Sequence, residues 1–222
     1  MTTATATEQL YDYWRSLLRG DDIPCRVDVN PVDMKSILPQ VFILQREEID
    51  EQKLMAAAHR DVTFRLAGTD LCDTHMRDLG KTSFREIFAA KDRERVDEEL
   101  ARVFDHEEIR IFRTRIRSEF AFVEVETIVL PIRNGDGECS RALGCQTLLT
   151  DKRSLWWKGS HPISGHMIVS VEDRRWRKGR IIGDPRLQPP AYEVPVLEFS
   201  RRGRRPEGRT VGHLVVIEGG NA

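Results

Sequence analysis

Cys72 and His75 are the residues of this sequence whose types and spacing most directly suggest chemistry. They lie three positions apart in FRLAGTDLCDTHMRDLGKTSF, residues 64–84, so a helical turn would place both side chains on one face. A thiolate and an imidazole can ligate zinc together, and a thiol beside a histidine base can act as a nucleophile. Either chemistry needs further groups from elsewhere in the chain.

The rest of the sequence completes neither pattern. A structural zinc site needs three or four ligands, and Cys139 and Cys145 are separated by five residues instead of the two to four of a zinc pair. No GxSxG, HExxH or deaminase HxE with PCxxC motif occurs. We therefore predict no metal site and no catalysis, with Cys72 small and buried and His75 partly exposed.

The composition is that of an ordinary globular protein. Hydrophobic residues make up 40% and charged residues 32% of the 222 residues, and no apolar run is long enough to cross a membrane. The N-terminus MTTATATEQL lacks the basic and apolar regions of a secretory signal. The sequence thus predicts a cytoplasmic protein whose four cysteines remain thiols.

The charge is divided unevenly along the chain. Residues 1–150 contain 21 Lys and Arg against 28 Asp and Glu, a net charge of −7, whereas residues 151–222 contain 14 against 8, a net charge of +6. Six of the ten prolines and nine of the fifteen glycines also follow residue 150. We predict flanking helices over 1–39, a folded domain over 40–150, and a basic, partly disordered extension over 151–222.

The apolar periodicity predicts the order of the elements. The first helix carries apolar residues at helical spacing, namely Leu10, Tyr13, Trp14, Leu17 and Leu18. A short helix follows with Asn30 as its N-cap and Pro31 at its first position. Strands are predicted at 41–47, 62–68, 109–117, 122–133 and 142–149, and an amphipathic helix at 91–108. Short helical pieces over 68–76 and 83–88 connect the second strand to that helix.

This order predicts an α+β fold, with a five-stranded antiparallel sheet and helices on one face. The chain also resembles a bacterial family of freestanding single-PAS-domain proteins of the alphaproteobacterial type. The resemblance covers roughly residues 8–150 and rests on four stretches, LYDYWRSLLRG, DIPCRVDVNPVDMKSILPQVFIL, TFRLAGTDLCDTHMRDLGKTSF and VLPIRNGDGECSRALGCQTLL.

The resemblance implies a signalling module that binds a partner regulatory protein or a small molecule. PAS relatives of this kind often lack an attached kinase or cyclase, and no phosphate-binding GxxxxGK[ST] loop occurs in this chain. The flavin-binding NCRFLQ-like motif of photosensory relatives is missing as well. We predict no cofactor, although His75 leaves haem ligation open because it is the only histidine of the helical connection.

A ligand pocket of PAS relatives would lie between the sheet and the helices. The side chains predicted to converge there are Phe64, Leu66, Leu71, Phe84, Phe88, Val103 and Phe104. A domain of this size needs most such residues for packing, so a filled core is favoured over an open cavity.

The first helix offers two apolar edges, Tyr11, Trp14 and Leu18 on one and Leu10, Tyr13 and Leu17 on the other. One edge could pack on the domain while the second forms a homodimer, as in PAS relatives. Packing of the whole helix on its own domain is the equal alternative.

The basic extension supports an alternative function, nucleic-acid or nucleotide binding. SRRGRRPEGR contains the candidate anion-binding residues Arg201, Arg202, Arg204, Arg205 and Arg209, and three tryptophans lie among basic residues further upstream. Arg201 and Arg205 repeat the RxxxR spacing of PilZ domains, but the companion [DN]xSxxG motif is missing. A solvated charge run and a contact with the acidic first part are the other interpretations.

Overall fold

A computed structural model describes residues 4–20, 22–47, 61–117, 122–149 and 165–174, together with the backbone of 210–211 and 214–215. The chain divides into two units, 1–183 and 184–222. None of the helices in the described ranges is long and apolar enough to span a membrane.

The first unit is built on an antiparallel sheet. Its strands are β1 (Val41–Arg46), β2 (Val62–Ala67), β3 (Ile109–Arg117), β4 (Phe122–Ile132), β5 (Arg141–Leu148) and β6 (Met167–Arg174). They lie in the order β2-β1-β5-β4-β3-β6. The sheet therefore has six strands, which corrects the prediction of five, and β6 comes from the segment predicted as an extension. The second unit contains the strand pair β7 (Thr210–Val211) and β8 (Leu214–Val215).

The described residues form three α-helices beside the sheet, namely α1 (Ala6–Ser16), α2 (Thr69–His75) and α3 (Arg93–Asp105). Short 3₁₀ turns occur at Arg26–Asp28, Pro31–Met34, Leu38–Gln40, Phe84–Ile87 and Ala90–Asp92. The predicted N-cap is confirmed, because the Asn30 side chain accepts a hydrogen bond from the Val32 amide, although the turn it begins is 3₁₀. The capping box of Thr5 and Glu8 fixes the start of α1.

The two faces of the sheet carry separate apolar clusters. Alternation along β1 directs Ile43 towards α1 and its neighbours Phe42 and Leu44 towards α2 and α3. The helices α2 and α3 thus share one face, as predicted, and the flanking helix α1 covers the other. Each face of the sheet therefore contributes to a buried apolar cluster.

Candidate functional site

Six of the seven predicted pocket residues lie in the aromatic core, our name for the buried cluster between the sheet and the helices α2 and α3. They are Phe64, Leu71, Phe84, Phe88, Val103 and Phe104. The Phe84 ring lies 5.4 Å from that of Phe64 and 5.3 Å from that of Phe88, and Phe88 lies 5.7 Å from Phe112, measured between centroids. These rings are in mutual contact and fill the space between them.

The prediction for Leu66 is wrong, because its side chain is 58% exposed. Phe64 pairs with Leu44 and Leu66 pairs with Ile43, so Arg65 is an extra residue in β2. Such a bulge interrupts the alternation of side chains. Leu66 therefore lies on the face of Ile43, opposite the aromatic core.

His75 contacts a residue that the sequence did not connect with it. Its ring stacks on that of His166, with the centroids 5.0 Å apart and the planes inclined by 23°. His75 ends α2, whereas His166 directly precedes β6, so the pair joins the helical connection to the sixth strand. Cys72, partly buried against the aromatic core, is not part of the stack.

The histidine pair lies beside buried polar side chains of the sheet. His166 is 1% exposed, and its Nδ1 lies 2.8 Å from the Thr114 hydroxyl oxygen on β3. On the neighbouring strands the Gln146 amide donates to the Thr127 hydroxyl at 3.3 Å. Within the described residues, the Nε2 atoms of both histidines are buried without a hydrogen-bond partner. Orphaned buried nitrogens of this kind are rare.

Both rings are held in the neutral form. The pKa of His75 is lowered to about 4, mainly by burial and also by the positive charge of Arg77, while a hydrogen bond with Gln146 acts in the opposite direction. Burial, with a smaller effect of His75, lowers the pKa of His166 well below its ordinary value. The lowered pKa values make both imidazoles weak proton acceptors at neutral pH. A neutral imidazole can still ligate a metal, but the pair supplies only two ligands.

The part of the chain that the structure describes contains no group of three or more metal-ligating side chains. A haem would also need a slot for its macrocycle, and the phenylalanine rings occupy the space between sheet and helices. Burial raises the pKa values of the Cys139 and Cys145 thiols to about 12, which makes both poor nucleophiles.

A buried charge cluster fastens β6 to the domain. Arg110 on β3 is 2% exposed, and its guanidinium lies 2.8 Å from a carboxylate oxygen of Glu99 on α3 and 3.0 Å from one of Asp173 on β6. It also contacts Glu108. One arginine thereby connects a helix and two strands.

A surface cavity of about 520 Å³ lies at the C-terminal end of α3. The Arg46 guanidinium lies 5.1 Å from the centroid of the Phe104 ring and pairs with Asp105, while Glu107 beside it holds Arg133 at 3.0 Å. These pairs join the end of α3 to β1 and β4.

The predicted anion-binding arginines, Arg201, Arg202, Arg204, Arg205 and Arg209, lie outside the described residues.

The sheet order, with short helices between β2 and β3, defines a small antiparallel α+β domain. The comparison with protein families agrees, because residues 2–147 match the family model described as PAS domain. The chain belongs to the PAS domain family, which supports a role in signalling or sensing. No curated protein and no solved structure matches it. The matched range ends before β6.

Proposed function

We propose that this protein is a bacterial signal-transduction protein whose PAS domain binds a partner regulatory protein without catalysis. The family match over residues 2–147 supports a signalling role, and the filled aromatic core favours protein docking over ligand sensing. PAS domains are typically sensory or interaction domains. A cytoplasmic location is part of the same proposal.

The partner would bind on the α1 side of the sheet, near its β2 edge. Leu66 is 58% and Leu38 is 36% exposed, and Leu38 lies in the turn that leads into β1. Exposed apolar side chains of neighbouring elements are typical of interaction sites. The observation that carries this location is the β2 bulge, which turns Leu66 out of the core.

Affinity capture from the native cell tests the docking surface. The Leu66→Lys variant should lose the partner that the unaltered chain retains, because a charge cannot enter an apolar contact without a counter-charge. Phe122→Lys is the matched control, since Phe122 is 56% exposed at the start of β4. Equal capture by both variants would contradict the proposed surface.

A small-molecule ligand is the second part of the proposal. It would bind among the candidate residues Phe64, Leu71, Phe84, Phe88, Val103 and Phe104, and it would have to displace rings that now touch one another. Native mass spectrometry of the purified protein should then show a stoichiometric adduct. If the measured mass is that of the polypeptide alone, and stays so after incubation with cell extract, ligand binding is contradicted.

The alternative is nucleic-acid or nucleotide binding by the basic extension. Its support is the net charge of +6 over residues 151–222, since arginines that neutralise phosphates make binding strongly salt-dependent. Replacing Arg201, Arg202, Arg204, Arg205 and Arg209 by Gln should weaken binding to single-stranded nucleic acid and flatten its salt dependence. An unaltered salt dependence would show that these arginines do not neutralise the phosphates.

A homodimer through α1 also remains a proposal. Leu10, Tyr11 and Trp14 are buried in the domain of one chain, so a dimer would have to use the exposed face that carries Asp12 and Ser16. Sedimentation of the Ser16→Arg variant should give half the mass of the unaltered protein. Equal masses would contradict a dimer through this face.

A further inference from the structure

The start of β6 is attached to the helical connection by backbone contacts. The His166 amide donates to the Ile87 carbonyl oxygen at 2.8 Å, and the Ala89 amide donates to the His166 carbonyl oxygen at 2.9 Å. Gly165 permits this approach, because a Cβ atom there would lie 2.7 Å from the carbonyl carbon of Phe88. The position of His166 is thus fixed relative to the turn Phe84–Ile87.

The His166 side chain enters the same junction. It stacks on His75, its ring centroid lies 5.7 Å from that of Phe88, and its Nδ1 contacts Thr114. The Nε2 atoms of both histidines are buried without a partner among the described residues. A proton added to Nε2 of His166 would therefore create a buried cation with no acceptor among the described residues, and at His75 only the neutral Gln146 side chain favours the charged form.

Among the described residues, no carboxylate contributes to the shifted pKa of either ring. The helix α2 contributes Arg77, a cation, just after its end. The strand β5 contributes the neutral Gln146, β3 contributes the Thr114 hydroxyl, and the loop contributes the Phe88 ring. The Asp92 carboxylate accepts a hydrogen bond of 3.2 Å from the backbone amide of Ile168, two residues beyond His166.

We propose that the His75–His166 stack is an acid-sensitive latch, and that proton uptake by either ring releases β6 from the edge of β3. The released strand is the link between the PAS domain and the remaining C-terminal chain, so the latch would convert acidification into exposure of the β3 edge. An exposed strand edge can pair with another chain. The latch does not depend on the partner proposed above.

The direction of the pH effect follows from the shifted pKa. The pKa of His75 is about 4 in the closed state and returns towards 6.5 when the ring meets water. The open state therefore binds protons more readily, and closure weakens progressively as the pH falls from 6.5 towards 4. From the titration of His75 alone, the equilibrium constant for the release of β6 should be roughly 25-fold larger at pH 5 than at pH 7.

Amide hydrogen exchange of the full chain measures the opening of β6. After correction for intrinsic rates, peptides from 167–174 should lose protection between pH 7 and pH 5, while peptides from 141–148 in β5 keep theirs. The variants His166→Phe and His75→Phe retain an aromatic ring but remove one proton site each, so each should reduce the loss. His106→Gln, at an exposed histidine, is the control and should behave like the unaltered chain.

Two results would overturn the latch. One is equal protection of 167–174 at pH 7 and pH 5 in the unaltered chain. The other is an undiminished loss of protection in both phenylalanine variants. If His166→Phe does not fold, the His75→Phe variant and an NMR titration of the histidine ring nitrogens test the latch instead. The latch requires both rings to be neutral at pH 7 and to gain protons as β6 is released.

Discussion

The indole Nε1 of Trp14 donates a hydrogen bond of 2.9 Å to the backbone carbonyl oxygen of Pro131, and this bond is buried. Trp14 lies on α1 and Pro131 near the end of β4, so the bond attaches the flanking helix to the centre of the sheet. A tryptophan suits this position because it combines a large apolar area with one donor. The helix α1 is therefore an integral layer of the domain.

Replacement of Trp14 by Phe should lower the free energy of unfolding by about 2–3 kcal/mol. The smaller ring leaves a cavity, and the Pro131 carbonyl loses its donor. Urea denaturation measures the change. Tyr13→Phe on the same helix is the control, since the Tyr13 hydroxyl bonds to Asn30 at an exposed position and its loss should cost less than about 1 kcal/mol. Equal losses would contradict the central role of Trp14.

Gly144 gives space to the ring of Phe42. A Cβ atom at Gly144 would lie 2.2 Å from two carbons of that ring, which is fully buried in the aromatic core. Gly144→Ala should therefore destabilise the domain by about 1–3 kcal/mol through forced movement of Phe42. Thermal unfolding monitors the effect. Gly135→Ala has nothing within 4 Å of its added carbon and should leave the melting temperature nearly unchanged.

Removal of the Arg110 guanidinium should be among the more costly single changes. Arg110→Met leaves the carboxylates of Glu99, Glu108 and Asp173 near one another without their shared cation, and we expect a loss of about 3 kcal/mol in the free energy of unfolding. Arg115→Met breaks an exposed pair with Glu124 and should cost less than about 1 kcal/mol. Similar denaturation midpoints for the two variants would argue against the buried cluster.

The sequence predicted the elements better than it predicted their contacts. Strand β3 was predicted with its observed bounds and α3 within a few residues, because apolar periodicity reports which residues face the core. Strand β6 was missed, although MIVSV has the β-branched residues of a strand, because it follows a segment rich in glycine and proline. The glycine and proline content of the longer segment therefore obscured the strand pattern of these few residues.

The candidate site shows a second limit. One extra residue, Arg65, reverses the side of Leu66, and a bulge leaves no mark in a pattern of alternating residues. The partner of His75 lies 91 positions further along the chain and is brought to it by the pairing of β6 with β3. Such a contact depends on the sheet topology, which single-sequence periodicity does not encode. The sequence could therefore not indicate that His75 stacks on His166.

Two of the four thiols should resist labelling in the folded protein. The pKa of Cys145 is raised to about 12 by burial, and that of Cys139 is raised to about 12 by burial with a contribution from Glu107. At pH 8 the thiolate fraction is then lower by about 1,000-fold than for a thiol with the ordinary value of 9.0. An aromatic disulfide reagent should modify these two cysteines only after unfolding, and the single variants Cys139→Ser and Cys145→Ser assign them. Rapid reaction of either thiol in the native protein would revive the nucleophile hypothesis.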